Sequence, residues 1–591
     1  MKARTGSTRA ERRRVERRGA ETPRGPKPAP PAASRWPYAM AAAVAVIVAF
    51  WAYGPALHGA FLFDDTVMPF ALPNPTAGLR EWLRNVRPAL YFTYWVNARI
   101  SRDDPYSYHV LSVIFHCATS GLVFLAVRRL FEWSRPEDSR RDLLAGFAAA
   151  VFLLHPVQTE AVAYLAGRSE ALSVMLFFAA FTVFLYRRQA AVSWPAVAAV
   201  LALFGLALLS KEHTIVLPAL LLLTDYWWNP GFSFAGMRAN WKLYTATAAG
   251  AVAGVAMFWK LIVASPSAGF SLKDFTWYQY FFTQCRALFV YIGIFLLPAN
   301  LTADWDFPVS KTVADRGAIV GLLVLAALVA LAWRYRRRFP LATYGFFVFL
   351  LLMAPTSSVV PIRDTIAERR LYLSMVGLLL IAVDLLARWK IDRKLLAALC
   401  LALVLVEAGV TRARAAVWSS PLALWQDTAR KSPGKSRVHF QLGLAWFDAG
   451  RPDLAIAEYE KTAQLEPPSY GLLVDWALAC DAAGQPEQAL AKLRQAAAMD
   501  PTAHVYTQIA VIYARRAQWH EALDALGAAE KLDRYFAPTY VYRGNIRLKQ
   551  SPPDPCAAMA EYRHALAIQP ANQEAQQNLL LAQREHPGAC P

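Results

Sequence analysis

Long apolar runs separated by short polar connections occupy the chain from residue 36 to about residue 410. A helix needs about 20 apolar residues to cross the hydrocarbon core of a bilayer, and most of the runs approach that length. They predict about 11–12 transmembrane helices in an all-α, polytopic membrane domain over 36–410. The predicted spans are 36–57, 107–127, 143–156, 170–186, 191–209, 212–228, 242–263, 279–298, 317–333, 341–357, 370–388 and 395–410.

From Ser436 onward the apolar runs give way to an amphipathic pattern with a period near 34 residues. This spacing is typical of tetratricopeptide (TPR) repeats, in which two antiparallel helices cross at small residues. The pattern predicts about four repeats and a closing helix, forming an α-solenoid with a concave groove over 436–585. Residues 411–435 are predicted to be a linker, and a generic helical bundle is the alternative to the solenoid. The recurring small residues are Ala455, Ala489, Ala522 and Ala558.

Lys and Arg residues are concentrated in a few connections. Residues 1–36 hold eleven Lys/Arg against three Glu, and their Pro, Ala and Gly content predicts a disordered cytoplasmic tail over 1–35. Because basic connections stay in the cytoplasm, the pattern places the C-terminal repeats outside it. This holds only if 279–298 does not cross, so we expect a re-entrant or interface-lying helix there and about eleven crossings. The other basic connections are 128–141, 187–188, 334–338 and 388–394.

The formal net charge of +19 does not indicate a nucleic-acid partner. Much of this charge lies in the tail, and neither the tail nor the membrane domain carries a recognised nucleic-acid motif. The six cysteines have no spacing typical of a metal site, so no metal or other cofactor is predicted. A divalent cation at a carboxylate pair stays open. A disulfide between Cys556 and Cys590 requires an extracytoplasmic tail, and without distances the sequence does not predict it.

An acidic pair, Asp64-Asp65, follows the first predicted span. Two adjacent carboxylates that are both dehydrated have raised pKa values. Such a pair can hold a metal, or one member can accept a proton from an attacking hydroxyl. The alternative is a solvated pair in a loop. The same loop carries Arg87, a candidate substrate ligand.

Three further clusters of ionisable residues interrupt the apolar pattern. Each lies at a predicted external end of a span, where ionisable residues are candidates for function. Helix capping, snorkelling and local ion pairing are the alternatives. Because all the clusters are predicted on one side of the membrane, we expect an anionic substrate at the external surface. The clusters are His155, Glu160, Arg168 and Glu170; Lys211, Glu212 and His213; and Arg363, Asp364, Glu368, Arg369 and Arg370.

Several segments in a fixed order give a more specific indication. They are FDD, RPALYFTYWVN, HPVQTEAVAYLAGRSEAL, LLSKEHTIVLPALLLLTDYW, LLPANLTADWD and AERRLYLSMVG, followed by the TPR units. This order resembles the transmembrane-and-tetratricopeptide O-mannosyltransferase family over roughly 58–590. The resemblance implies a GT-C fold, a polyprenyl-phosphate sugar donor, and transfer of the sugar with inversion to Ser or Thr of a protein.

The resemblance also implies roles for the clustered residues and partners for the chain. Asp64 and Asp65 are expected to be catalytic. The implied partners are the polyprenyl-phosphate sugar, membrane lipid and a protein acceptor held by the TPR groove. We expect the donor phosphate to bind Arg168, Lys211, Arg369 and Arg370, and the substrates to contact Arg87, His155, Glu160 and Glu212.

The chain departs from the family in having four repeats rather than a long array, and its Ala/Arg/Pro-rich composition is typical of bacteria. These departures leave the sugar, expected to be mannose-like, and the acceptor open. They also favour a bacterial inner membrane as the location, with the TPR domain outside the cytoplasm.

Two other functions stay open. A non-enzymatic, membrane-anchored TPR scaffold needs no acidic pair, although an anchor needs one span rather than eleven. A GT-C transferase acting on a lipid or an envelope glycan keeps the chemistry and changes the acceptor. A transporter is disfavoured, because the spans do not form two related halves with paired Gly/Pro interruptions.

Overall fold

The structure, a computed structural model, describes residues 36–68, 78–187, 189–264, 268–588 and 590. The predicted tail over 1–35 lies outside these residues. The chain divides into two units after Ile47, and the described part of the first unit is the beginning of the first helix. Throughout the described ranges the protein is helical, with no strand beyond one isolated antiparallel bridge between Ala268 and Ile362. The predicted all-α class is confirmed.

Sixteen α-helices lie among the described residues from 36 to 417. Their bounds are α1 (Trp36–Tyr53), α2 (Leu79–Leu83), α3 (Pro88–Ser101), α4 (Tyr106–Ser134), α5 (Arg141–Leu154), α6 (Thr159–Ala163), α7 (Arg168–Leu185), α8 (Trp194–Leu208), α9 (Leu217–Trp228), α10 (Ala235–Ala239), α11 (Trp241–Ala264), α12 (Trp277–Leu296), α13 (Ala318–Tyr335), α14 (Pro340–Met353), α15 (Leu371–Arg388) and α16 (Arg393–Val417).

Six helices among the described residues are long and apolar enough to cross a membrane, or seven if the bent pair Arg141–Leu154 and Pro156–Ala163 is one span. The protein is therefore a multi-pass membrane protein. The count is smaller than the predicted 11–12, because several apolar runs fold as shorter helices such as α8 and α14. The six are Trp36–Ala56, Tyr106–Ser134, Arg168–Leu185, Asp315–Tyr335, Glu368–Arg388 and Arg393–Val417.

Arginines from the predicted cytoplasmic connections meet two buried carboxylates at one end of the helical bundle, which we call the basic end. Arg187 Nη2 lies 2.6 Å from Asp225 Oδ1. Asp384 lies 3.2 Å from Arg135 and 3.1 Å from Arg388. Both carboxylates have no exposed side-chain surface, so they need these partners to offset the loss of hydration.

Helix α12 covers most of the run predicted not to cross, 279–298, and lies along the connection that precedes α15. Three side chains along one face of α12 donate to backbone carbonyls of this connection. These bonds hold α12 against the connection, and that the helix does not cross the membrane stays a prediction. The donors and acceptors are Tyr280 Oη and Thr356 O (2.6 Å), Gln284 Nε2 and Thr365 O (2.9 Å), and Tyr291 Oη and Ala367 O (3.3 Å).

Residues 411–435, predicted to be a linker, are largely helical. Helix α16 continues to Val417, and a further helix, α17 (Pro421–Lys431), follows it. Ser420 caps α17 by accepting from the Ala423 amide, and Leu424 and Trp425 are buried. This segment is amphipathic and packs on its neighbours, which is why it does not form an extended connection. The predicted domain boundaries otherwise stay predictions.

The predicted TPR solenoid is confirmed as a series of antiparallel helix pairs with a closing helix. The four small alanines that mark the repeats have no exposed surface. A Cβ at Gly443 would press against the ring of Tyr459, so the first pair packs closely only with glycine there. The helices are α18 (Ser436–Asp448), α19 (Pro452–Leu465), α20 (Tyr470–Ala482), α21 (Pro486–Met499), α22 (Ala503–Arg515), α23 (Trp519–Leu532), α24 (Ala537–Lys549), α25 (Pro555–Ile568) and α26 (Gln573–Glu585).

One disulfide joins Cys556 at the start of α25 to Cys590 beyond α26, with the two Cα atoms 5.1 Å apart. The sequence did not predict this pair because it gives no distances. The separation is within the usual range for a disulfide. The bond ties the end of the chain to the last repeat.

Candidate active site

The acidic pair lies in a short 3₁₀ turn, Phe63–Val67, and its two carboxylates have different surroundings. Asp65 is 1% exposed. Its Oδ2 accepts from the Leu62 amide at 3.1 Å and its Oδ1 from the Ala166 amide at 2.7 Å. Asp64 is exposed, and its amide donates to the Tyr164 hydroxyl at 3.0 Å. Asp65 therefore anchors the turn to the connection between α6 and α7, and Asp64 faces outward.

Burial raises the pKa of Asp65 to about 7, and the neighbouring charge of Asp64 adds to the shift. The hydrogen bonds from the Leu62 and Ala166 amides favour the charged carboxylate and so limit the rise in its pKa. A carboxyl that titrates near neutral pH exchanges protons readily at working pH. The pair is thus divided into an exposed carboxylate and a buried one with a raised pKa.

This raised pKa predicts a pH-dependent stability. The pKa of Asp65 is 3.8 in the unfolded chain and about 7 in the folded protein, so folding disfavours the ionised carboxylate. Its stabilising contribution is complete below about pH 4, falls as the pH rises and is lost above about pH 7. We expect the thermal midpoint of the wild type in detergent to fall relative to Asp65→Asn across this interval. A constant difference between the two proteins from pH 4 to pH 8 would contradict it.

Phe63, immediately before the pair, has a φ of +47°, a region that non-glycine residues seldom adopt. Such a conformation costs of order 1–3 kcal/mol and persists only where neighbouring contacts hold it. The Phe63 ring meets Trp425 of α17 edge to face, with centroids 5.5 Å apart. The Arg437 guanidinium of α18 lies 5.8 Å from the ring centroid. Two helices at the start of the C-terminal region therefore contact the acidic turn.

Glu160 and Arg369 form a second element of the site. The Arg369 amide donates to Glu160 Oε2 at 2.8 Å, and its guanidinium donates to Oε1. Glu160 is 2% exposed, whereas about a third of the Arg369 side chain is exposed. Arg369 therefore keeps donor groups at the surface while its partner is buried.

Three cations lie close enough to influence one another. Arg87 makes a two-point bond to Glu212, with distances of 2.8 and 3.1 Å. Lys211 Nζ lies 2.5 Å from Glu170 Oε1. Burial lowers the pKa of Lys211, Glu170 opposes that shift, and the charges of Arg87 and Arg369 lower it further. We call Arg87, Lys211 and Arg369 the cation cluster.

The acidic turn and the cation cluster lie at the opposite end of the bundle from the basic end, and we call it the site end. Helix α7 begins at Arg168 near the turn and ends just before Arg187. Helix α15 begins after Arg370 and ends at Arg388. The structure therefore places the ionisable clusters at one end of the membrane helices, as the sequence predicts.

Three predicted site residues are enclosed by the protein. Arg168 is 0% exposed and donates to neutral acceptors, including Asn97 Oδ1 at 2.8 Å. Arg370 donates to Tyr280 Oη at 3.1 Å and to backbone carbonyls. His155 is 1% exposed and contacts the Phe295 carbonyl at 3.0 Å. These placements fit the positioning of helices better than direct contact with a lipid phosphate.

Sequence reasoning did not single out several residues of the site. Tyr164 lies inside a segment that carries the family resemblance, so its polar character within an apolar stretch was a usable signal. Glu170 belongs to the predicted cluster of Glu160 and Arg168, although the sequence pattern assigned it no separate role. Trp425 and Arg437 gave no signal, because they belong to the predicted linker and to the first repeat. Only the folded chain brings them to the acidic turn.

Within the part of the chain that the structure describes, no group of three or more His, Cys, Asp or Glu residues is placed to hold a metal ion. Asp64 and Asp65 supply two carboxylates, and both Asp65 oxygens accept backbone hydrogen bonds. A divalent cation at this pair stays an open alternative.

The fold and the site define a class of protein: a multi-pass helical membrane protein with an acidic turn and a cation cluster at one end, joined to a TPR solenoid. No protein-family model matches the chain. The chain is similar, over half to 70% of its length, to TMTC-type protein O-mannosyl-transferases, which confirms the predicted resemblance.

Three relatives illustrate the similarity. Protein O-mannosyl-transferase F38B6.6 of Caenorhabditis elegans is 23% identical over 446 residues, covering 70% of this chain and 61% of that protein. Human TMTC1 is 25% identical over 487 residues, covering 70% and 54%. Mouse TMTC3 is 30% identical over 182 residues, covering 28% and 19%. The chain thus spans about three fifths or less of the length of these relatives.

Solved TPR structures also align with the chain. The crystal structure of YrrB, a TPR protein with an unusual peptide-binding site, has a TM-score of 0.23 and 18% identity. The alignment covers 26% of this chain and 80% of that one. A score this low adds nothing to what the helix pairs of the solenoid already show.

Proposed function

We propose that the protein is a membrane glycosyltransferase of the GT-C type. It transfers a mannose-like sugar from a polyprenyl-phosphate donor to hydroxyls of protein acceptors at the extracytoplasmic face. The observation that carries the proposal is the position of the acidic turn, which lies at the same end of the bundle as the cation cluster and contacts α17 and α18. The names of the relatives, all protein O-mannosyl-transferases, support the same class of reaction.

In the proposed reaction Asp64 accepts the proton of the acceptor hydroxyl, because its side chain is exposed at the turn. The hydroxyl oxygen forms a bond to the anomeric carbon of the sugar as the bond from that carbon to the phosphate oxygen breaks. The electron pair of the broken bond leaves with the polyprenyl phosphate. Asp65 holds the turn through its two backbone hydrogen bonds.

The cation cluster is proposed to stabilise the departing phosphate. Negative charge grows on the leaving group as the sugar separates, and fixed cations at a site with little water stabilise that charge strongly. Arg369 and Lys211 are the main candidates, and all three cations, Arg87 included, present part of their side chains at the surface. Glu160, Glu170 and Glu212 hold the cations in place through ion pairs.

The acceptor is proposed to bind in the concave groove of the solenoid. Helices α17 and α18 contact the acidic turn through Trp425 and Arg437, so the solenoid begins beside the proposed catalytic group. A protein held there presents its Ser and Thr side chains to Asp64. Membrane lipid surrounds the apolar helices and supplies the route by which the lipid-linked donor arrives.

A comparison of envelope proteins tests the proposal directly. Mass spectrometry of strains with and without the gene is expected to find hexose on Ser or Thr of envelope proteins only when the gene is present. The purified chain in lipid nanodiscs is expected to transfer the sugar from polyprenyl-phosphate mannose to such a protein. Sugar found only in the lipid or envelope-glycan fraction would favour the other acceptor class. No transfer to any fraction would favour the scaffold.

We also propose that the protein lies in a bacterial inner membrane, with the basic end in the cytoplasm and the solenoid outside. The arginines gathered at the basic end support this orientation, because basic connections stay cytoplasmic. The disulfide in the last repeat supports it too, because disulfides persist in oxidising compartments such as the periplasm.

A reporter fused after Pro591 is expected to reveal this orientation. Alkaline phosphatase at that position is expected to be active, and a reporter that fluoresces only in the cytoplasm is expected to stay dark. As a control, both reporters fused within the 334–338 connection are expected to give the reverse pattern. Cytoplasmic fluorescence after Pro591 would separate the solenoid from the extracytoplasmic face and would contradict the orientation.

A further inference from the structure

The first residues of the solenoid are clamped by two connections of the membrane domain. Arg437, in α18, donates from Nε to Asp304 Oδ2 at 2.7 Å and from Nη2 to Asp364 Oδ1 at 2.7 Å. Lys435 donates to Asp304 as well, and to the Trp305 carbonyl at 3.1 Å. Asp304 lies between α12 and α13, and Asp364 lies between α14 and α15. One guanidinium therefore joins two connections that are distant in the sequence.

The Asp364 connection leads to the proposed site. The backbone carbonyl of Asp364 accepts from Arg370, and Arg369, the next residue back, belongs to the cation cluster. On its other side the Arg437 guanidinium lies against the Phe63 ring, 5.8 Å from the centroid. Phe63 precedes the acidic pair and has a φ of +47°. Arg437 thus contacts both the acidic turn and the connection that carries the cations.

The geometry of arginine explains why this residue type suits the position. A guanidinium is planar and always charged, and its several donors can serve two carboxylates while its face stacks on an aromatic ring. Asp304 is nearly buried and depends on cations for compensation. A lysine supplies a point charge without the planar face, so it preserves only part of the arrangement.

We propose that Arg437 of the solenoid is a positioning residue for the transfer reaction, holding the acidic turn and the Asp364 connection in their working arrangement. The solenoid is then part of the wall of the active site as well as a recruiting domain. This inference rests on the proposed function for its effect on rate. Its structural part, the restraint of the turn, is measurable without any transfer.

Hydrogen–deuterium exchange of the full chain in nanodiscs tests the restraint. In Arg437→Ala, peptides that cover residues 60–68 are expected to exchange at least about tenfold faster than in the wild type. Arg451→Ala, which removes an exposed ion pair with Asp453 in the same solenoid, is the matched control and is expected to leave this exchange unchanged. Equal exchange at residues 60–68 in Arg437→Ala and the wild type would overturn the proposal. In Arg437→Lys, the exchange rate of residues 60–68 is expected to return at least partly to the slower wild-type rate.

Steady-state kinetics test the effect on the reaction. Arg437→Ala is expected to lower kcat at least about tenfold while the KM for the donor changes less than about twofold, because the cation cluster itself is intact. Arg437→Lys is expected to keep part of the wild-type kcat, and the control Arg451→Ala is expected to keep all of it. An unchanged kcat in Arg437→Ala would overturn the positioning role. Absence of transfer by the wild type would instead refute the proposed function, and exchange would still decide whether Arg437 holds the turn.

Discussion

Replacement of Asp64 by Asn is expected to lower the rate of sugar transfer by more than about a hundredfold, the usual scale for loss of a catalytic base. The amide has nearly the shape of the carboxylate but cannot accept the proton of the acceptor hydroxyl. Because Asp64 is exposed and its backbone bond to Tyr164 involves the amide nitrogen, the variant is expected to fold and insert normally. A transfer assay with purified protein measures the rate, and the thermal midpoint in detergent checks the fold.

Asp65→Asn is expected to lower both the rate and the stability, because Asp65 accepts two backbone hydrogen bonds in a buried position. In the variant, one of the two backbone N–H donors faces the side-chain NH₂, which cannot accept, so that hydrogen bond is lost. Asp103→Asn, which changes an exposed carboxylate in the connection between α3 and α4, is the matched control and is expected to behave as the wild type. Wild-type transfer rates in both Asp64→Asn and Asp65→Asn would refute the catalytic assignment of the pair.

Removal of a cation from the cluster is expected to weaken binding of the lipid-phosphate donor. Lys211→Ala and Arg369→Ala are each expected to raise the donor Kd by about ten- to a hundredfold, because a hydrogen bond to a charged group is worth about 1.5–3 kcal/mol. The affinity for the protein acceptor is expected to change little. Equilibrium binding of a polyprenyl phosphate to the protein in nanodiscs measures the difference.

Controls for this measurement come from the same end of the bundle. Arg363→Ala removes an exposed cation that pairs with Asp274, and its donor Kd is expected to equal that of the wild type. Arg369→Lys and Lys211→Arg keep the charge and are expected to recover part of the affinity. Arg168→Ala and Arg370→Ala are expected to lower stability more than donor affinity, because both side chains are enclosed. Unchanged donor affinity in all four alanine variants at 168, 211, 369 and 370 would rule out the phosphate role.

The repeating part of the fold was predictable because its signal is periodic. Small residues at Ala455 and its equivalents mark helix crossings, and each is fully buried as the spacing requires. The membrane part was predictable in kind but less so in number. Apolar composition does not reveal that a run such as 191–209 ends as a 15-residue helix just before Lys211. Helix α17 was missed because its amphipathic pattern is short and follows a much stronger apolar signal.

The grouping of the candidate residues at one end was predictable from charge, because basic connections mark the opposite end. The role of each side chain was not. Asp64 and Asp65 are equivalent in sequence, and only the fold encloses one of them between the Leu62 and Ala166 amides. Arg168 stands at a helix start like a phosphate ligand, but it turns inward to α3 and α4. Such differences depend on long-range packing.

The clamped junction at Arg437 also bears on how an acceptor is selected. If the groove is fixed relative to Asp64, the number of acceptor residues between the bound segment and Asp64 is fixed too, since an extended chain advances about 3.3–3.6 Å per residue. The distance between the segment held in the groove and the hydroxyl at the turn is then constant. If the proposed transfer takes place, we expect the modified residues to be set by their spacing from the bound segment rather than by the residues on either side of them. Lengthening an acceptor between these two points is then expected to shift the modified position by the number of residues inserted.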